Sequence, residues 1–201
     1  MSLSGSDRRL LRLFLACVLG RWEDARLVLR EAGPGEPDRR WREALLQVHL
    51  FAGVPRQVEA AHVLSQAGGL GDPGPDELEP RGAVDTTSRG SALFDRIYAD
   101  DSAAVRRALA RGHPELERWV IEHAYGRVLS RPGLSADRRE LLAVVALAAL
   151  GQDRQLASHA RGALRCGATA EELLSSLGAV EDLVEVEGRV EEARRLLARL
   201  T

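Results

Sequence analysis

The chain has 201 residues, 45% of them apolar and 29% charged, and carries a net charge of −2. A chain of this size can close a hydrophobic core without disulfides or a metal, and its near-neutral balance argues against a nucleic-acid partner, which needs a basic face. Cys17 and Cys166 stand far apart with no CxxC, which excludes a disulfide framework and a zinc knuckle.

Aromatic residues make up only 4% of the chain, so the core must be Leu, Val and Ala packing, which suits helices. All 28 basic residues are Arg and there is no Asn, a bias that reads as codon usage before selection. At the N-terminus, Arg8 and Arg9 followed by Leu10 to Leu19 imitate an export signal. Arg12 interrupts that run, and Arg21 to Asp24 follow where a small-residue cleavage site belongs. No apolar stretch approaches the roughly 20 residues a bilayer span requires. The expectation is a cytoplasmic protein without a membrane partner.

Period-2 alternation is nowhere sustained, whereas helical spacing recurs throughout, and the fold class is all-α. Helices are predicted at Asp7–Leu19, Trp22–Ala32, Asp38–Ala52, Pro55–Gln66, Ser91–Ala99, Ser102–Arg111, His113–Leu129, Ala136–Leu150, Asp153–Cys166, Ala170–Val186 and Arg189–Leu200. Gly20, Gly33, Gly151 and Gly167 sit where helices must end in a left-handed turn. Thr169 and Glu172 form a capping box, and Ser135 and Asp101 are N-cap candidates. Residues 67–90, rich in Gly, Pro and Asp, read as a linker or long surface loop. They separate an N-terminal helical unit (1–66) from a C-terminal unit (91–201), and the two units can also pack as one domain.

The chain repeats itself. At an offset of 131, Leu10, Leu11, Leu19, Gly20, Arg30 and Ala32 match Leu141, Leu142, Leu150, Gly151, Arg161 and Ala163. Two related helical hairpins are the economical reading. Where the first copy has Arg9 and Val28, the second has Glu140 and His159, so acid–base chemistry belongs to the second copy.

In that copy Gln152, Gln155 and His159 are spaced i, i+3, i+7 and share one stripe of a helix. Glu140 lies eleven residues before Gly151 and His159 eight after it, an offset of about one turn across an antiparallel hairpin. A glutamate side chain spans much of that gap, and a buried Glu–His pair fixes the imidazole tautomer for proton transfer. The bland readings stand beside these: a histidine satisfied in a core, a carboxylate favoured at a helix start, and glutamines on a plain surface.

The set Glu140, Gln152, Gln155 and His159, followed by GAL-x-x-GAT-x-EE over 162–172, resembles the carboxymuconolactone decarboxylase and alkylhydroperoxidase D-like superfamily. Upstream, Tyr125-Gly126-Arg127-Val128 and Ser130 to Leu134 resemble its decarboxylase-type segment. Leu45-Leu46-Gln47 and Phe51 to Pro55 resemble its "LLQ…Y-x-G-x-P" helix, with Phe51 in place of the tyrosine. The resemblance implies a bundle of helical hairpins that assembles as a homo-oligomer, a trimer or hexamer. It implies a cofactor-free lyase acting on a small carboxylated lactone or organic acid; three histidines never fall at metal-ligand spacing, so no metal is expected. His159 would be the acid and Glu140 its orienter, with Gln152, Gln155, Arg131, Arg161, His123 and Tyr125 around the substrate. In the hydroperoxidase branch two cysteines stand at the positions of Gln152 and Gln155, so that thiol mechanism is unavailable here. The competing expectation is a catalytically lapsed binding or oligomerisation module.

Overall fold

The computed structural model describes residues 2–79, 85–184 and 188–200, and within them every regular element is helical. The chain opens with a hairpin of α1 (Gly5–Leu19) and α2 (Trp22–Arg30), followed by α3 (Arg39–Gln47) and α4 (His49–Gln66). Next come α5 (Thr86–Tyr98), α6 (Ser102–Gly112), α7 (Pro114–Trp119) and a π-helix over Val120–Leu129. A second hairpin, α8 (Ala136–Ala149) and α9 (Asp153–Cys166), leads into α10 (Ala170–Gly178) and α11 (Arg189–Leu197).

Both hairpins close on a glycine in the left-handed region, Gly20 at φ 75° and Gly151 at φ 71°. A side chain would be strained at either position. Gly167 ends α9 in the same way, at φ 114°. Gly33 does not follow the pattern. α2 already ends at Arg30, with Glu31 close to helical geometry, and the positive φ falls on Gly35 instead. The Thr169–Glu172 capping box forms in full. Ser135 and Asp101 precede α8 and α6, but neither side chain caps its helix.

Four predicted boundaries move, the first being the break predicted between Ala52 and Pro55, which falls at Val48 between α3 and α4. α5 starts at Thr86, five residues ahead of Ser91, because the Asp85 carboxylate accepts the Ser88 N–H at 3.0 Å and nucleates an earlier turn. The helix predicted over His113–Leu129 divides into α7 and the π-helix. α10 stops at Gly178, a short turn over Glu181–Leu183 follows, and the remainder of the predicted element (185–187) lies outside the described residues. α4 itself bends at Gly53, whose φ 80° and ψ 163° leave helical geometry just ahead of Pro55.

The two hairpins share one core. Leu10 to Val18 of α1 packs with Leu141 to Ala148 of α8, and every residue from Arg139 to Ala148 is buried. With burial worth about 1.5–3 kcal/mol per large aliphatic side chain, α8 acts as the central post. Leu142→Ala there would cost about 2–5 kcal/mol.

A smaller cluster of Phe94, Ile97, Ile121, Tyr125 and Leu129 joins α5 to the π-helix. These two cross at glycines. A Cβ on Gly90 would lie 2.1 Å from the Ile121 carbonyl, and one on Gly126 would lie 2.1 Å from the Thr86 carbonyl. The widened π turns sit at this crossing, and they set where Tyr125 points.

Candidate active site

Glu140 and His159 meet across the second hairpin. The imidazole Nδ1 lies 2.9 Å from Glu140 Oε2, and both residues are buried, at 1% and 8% exposure. Against a carboxylate, Nδ1 carries the proton and donates it, which leaves Nε2 as the exchanging atom. Space for the carboxylate comes from Gly162, one turn of α9 beyond His159. A Cβ there would stand 2.6 Å from Glu140 Oε2 and 2.8 Å from Ile97 Cγ2.

Two phenols feel the charge of Glu140, Tyr125 buried and Tyr98 half-buried. Tyr125, from the π-helix, packs edge-on against Phe94, and its hydroxyl lies 3.3 Å from that of Tyr98 at the end of α5. Burial raises the Tyr98 hydroxyl above the ordinary tyrosine range, against a smaller lowering by its Tyr125 contact and with a still smaller push upward from the charge of Glu140. Burial, Tyr98 and Glu140 raise Tyr125 well above that range. Both are neutral donors at pH 7. Ala99, directly after Tyr98, sits at φ 47° and ψ −124°, the one non-glycine with positive φ among the described residues. Strain of this kind persists only where the surroundings hold it.

The other predicted site residues are spread more widely. Gln152 and Gln155 lie exposed at the start of α9, and Gln152 takes the N-cap position. Arg161 is half-buried on the same helix. Arg131 is committed to Glu43, with its Nε and Nη2 both 3.0 Å from the carboxylate, and Nη2 also donates to the Glu77 carbonyl at 2.6 Å. His123 turns outward, its Nε2 2.7 Å from His49 Nε2. Since His49 Nδ1 faces the Leu46 carbonyl at 2.6 Å, the two rings share a single proton between their Nε2 atoms. Burial first, then His49 and Arg127, lowers His123 below the ordinary histidine range. Phe51 packs on Phe14 of α1, with ring centroids 5.8 Å apart, and belongs to the main core.

The sequence reading missed Tyr98, Gly162 and a buried ion cluster. Arg139, fully buried, donates from Nη2 to Glu43 Oε2 at 2.7 Å, so Glu43 is held by Arg131 and Arg139 together. Gln47 adds a bond from Nε2 to the Arg139 carbonyl at 2.9 Å. α3 of the first unit is thereby fastened to α8 of the second. A signal was available: Glu43 and Gln47 lie i, i+4 on the face of α3 that carries Ala44. His62, nineteen residues after Glu43, is exposed and takes no part.

Neither thiol is primed for attack. Burial pushes Cys17 up to about 12, and burial followed by the charge of Glu140 pushes Cys166 up to about 11. Thiolates would be scarce at neutral pH. Among the described residues no group of three or more His, Cys, Asp or Glu side chains converges to hold a metal ion, and no helix is long and apolar enough to cross a membrane.

The structure is thus a helical bundle of paired hairpins with a carboxylate–imidazole pair bridging one of them. Residues 114–198 match the sequence model of the Carboxymuconolactone decarboxylase family, and this segment belongs to that family. The chain is 31% identical over 139 residues to Peroxisomal protein 2 of Schizosaccharomyces pombe, covering 67% of this chain and 64% of that one. It is 36% identical over 59 residues to the 4-carboxymuconolactone decarboxylase of Acinetobacter baylyi, covering 29% of this chain and 44% of that one. The chain thus spans less than two thirds of the length of either relative.

Proposed function

We propose that the Glu140–His159 pair is the acid–base centre of a cofactor-free lyase acting on a small carboxylated lactone or a related organic acid. The observation that carries this reading is the 2.9 Å contact between the two buried side chains. It orients the imidazole and leaves Nε2 to exchange a proton. A carboxylate conjugated to a lactone carbonyl carries its own electron sink. When the C–CO2⁻ bond breaks, its electron pair moves into the conjugated carbonyl as an enolate, and CO2 leaves. Collapse of the enolate takes one proton at carbon, from Nε2–H of the His159 imidazolium, which returns to the neutral Nδ1–H form. Solvent restores that proton, and Glu140 holds the ring throughout. A neutral phenol beside Glu140 is suited to stabilising the enolate oxygen, a role that electrostatic preorganisation makes valuable.

The test is decarboxylation of 4-carboxymuconolactone, followed by CO2 release and loss of the lactone absorbance. Wild type should turn over, and His159→Ala should lose about 10²–10⁴-fold in kcat, the usual contribution of a general acid. Alkylating both cysteines should leave turnover intact. Equal rates for wild type and His159→Ala would remove the pair from the chemistry.

A second reading, a binding module without turnover, is favoured by the exposure of Gln152 and Gln155 and by the engagement of Arg131 with Glu43. It predicts ligand binding, with no CO2 released by either protein.

A further inference from the structure

Between α5, the end of the π-helix and the start of α8 lies a cleft of about 330 Å3, a size that small-molecule sites share, at roughly 300–1,000 Å3. Arg89, Arg96 and Arg131 line it together with the aliphatic side chains of Leu93, Leu129 and Leu134. Among the described residues no acidic side chain is part of the lining. Arg139 stands directly behind the wall, donating to the carbonyls of Leu134 and Arg131, both at 3.2 Å. Its remaining guanidinium nitrogen, Nη1, is buried without a hydrogen-bond partner.

The charges do not balance. Among the described residues two carboxylates pair with this group: Glu43, on Arg131 and Arg139, and Glu79, on Arg89 at 2.7 Å and Arg131 at 3.7 Å. Four guanidinium groups against two carboxylates leave an excess of positive charge. Glu77, whose carboxylate Arg42 holds, offsets part of it through Arg131. Arg96 is the least committed of the four. Its contacts are to the backbone carbonyls of Arg165 and Cys166, at 3.4 and 3.2 Å, rather than to an acid. At the base of the cleft, Ala136 opens α8, whose N-terminal turn has no side-chain cap. The positive end of that helix adds to the field, offset in part by Asp137 in its first turn.

We propose that this cleft binds a small organic anion. Its carboxylate would lie against Arg96 and Arg89, and its apolar body along Leu93, Leu129 and Leu134. Guanidinium groups match a carboxylate bidentately, and the aliphatic wall distinguishes an organic acid from an inorganic anion. Glu79 already holds Arg89, whose other bonds go to the Gly126 carbonyl, and so sets the threshold for entry. The proposal does not depend on turnover at the Glu140–His159 pair. It bears on that pair because Glu140 follows Ala136 by one turn of α8, about 6 Å along the same face.

The experiment is calorimetric titration of the full chain at low ionic strength with hexanoate, with hexanol (the same body, uncharged) and with acetate (the same charge, almost no body). Hexanoate should bind, and the other two should bind at least about tenfold more weakly. Arg96→Gln should weaken hexanoate about tenfold, Ala92→Glu should abolish it by placing a carboxylate in the cleft, and Glu79→Gln should tighten it severalfold. Arg96 and Ala92 are exposed, so both variants should keep the wild-type circular dichroism spectrum. Hexanol binding as well as hexanoate, hexanoate failing to saturate through the millimolar range, or an unchanged affinity in either Arg96→Gln or Ala92→Glu overturns the proposal.

Discussion

The α1–α2 and α8–α9 hairpins share a plan and differ in what they do with it. Each folds back on a left-handed glycine, and each sends a row of leucines into the shared core. At corresponding places on the first helix, one carries Arg9 and the other Glu140. Arg9 reaches out of its hairpin to Glu36, at 2.7 Å, and that carboxylate also takes the Gly33 N–H at 2.8 Å and the hydroxyl of Ser6. The pair thus clips down the loop before α3. Glu140 reaches inward to His159. Where the second hairpin has that histidine, the first has Val28, 1% exposed and purely apolar. One scaffold therefore yields a structural clip in one copy and an acid–base pair in the other. The change rests on two side chains and on the room that Gly162 leaves; the matching residue of the first copy is Glu31.

The largest expected effect falls on the junction between the copies. Glu43→Gln strips the charge partner from buried Arg139 and from Arg131, and removing one member of a buried ion pair costs about 3–5 kcal/mol. Chemical denaturation should show a loss of that order. A loss below about 1 kcal/mol would mean that the halves are joined by apolar packing alone. Gly162→Ala tests the second hairpin specifically. Its methyl group must displace Glu140 or Ile97, an overpacking penalty of about 1–3 kcal/mol. Any turnover should fall with it, whereas Ala at Glu31, on the exposed end of α2, should leave both unchanged.

Acid sharpens the contrast from the other side. Burial alone would raise the Glu36 carboxyl, but Arg9, Ser6 and the Gly33 N–H outweigh it and hold the group at about 2 against an ordinary 4.5. Because the folded value is depressed, the clip contributes its full stability above about pH 4.5 and loses it as pH falls through about 2. Wild type should lose melting temperature across that window. Glu36→Gln should be less stable at neutral pH and flatter in acid. The smallest effect is local: Thr169→Ala removes the cap of α10 and should cost about 1 kcal/mol.

The all-α class, both hairpin turns and the Glu140–His159 contact were legible because each depends on spacing within one continuous stretch. Period and glycine position fix the hairpin, and the hairpin fixes the nineteen-residue offset between carboxylate and imidazole. Tyr98 was not legible, since it arrives from α5, an element whose packing partner no local pattern names. Gly162 reads as an ordinary small residue within a helix until Glu140 is seen against it. Arg139 adjoins Glu140 in sequence and looks like one more surface arginine, yet it is fully buried because Glu43 comes from another unit to meet it. The π-helix escaped for a related reason. Its residues have ordinary helical spacing, and the widened turns accompany a crossing with a helix about thirty residues away.

That crossing has a consequence for how the molecule tolerates change. Gly90 and Gly126 bring two backbones together with no margin for even a methyl group. Thickening either one pushes the whole π segment off its seat. Tyr125, Leu129 and Ser130 travel on that segment, so the phenol set beside Glu140 and one side of the arginine-lined cleft would shift as a unit. Geometry around the imidazole and the shape of the anion cleft are thus coupled through one joint, to which Arg89 of the cleft is itself fastened by its bonds to the Gly126 carbonyl.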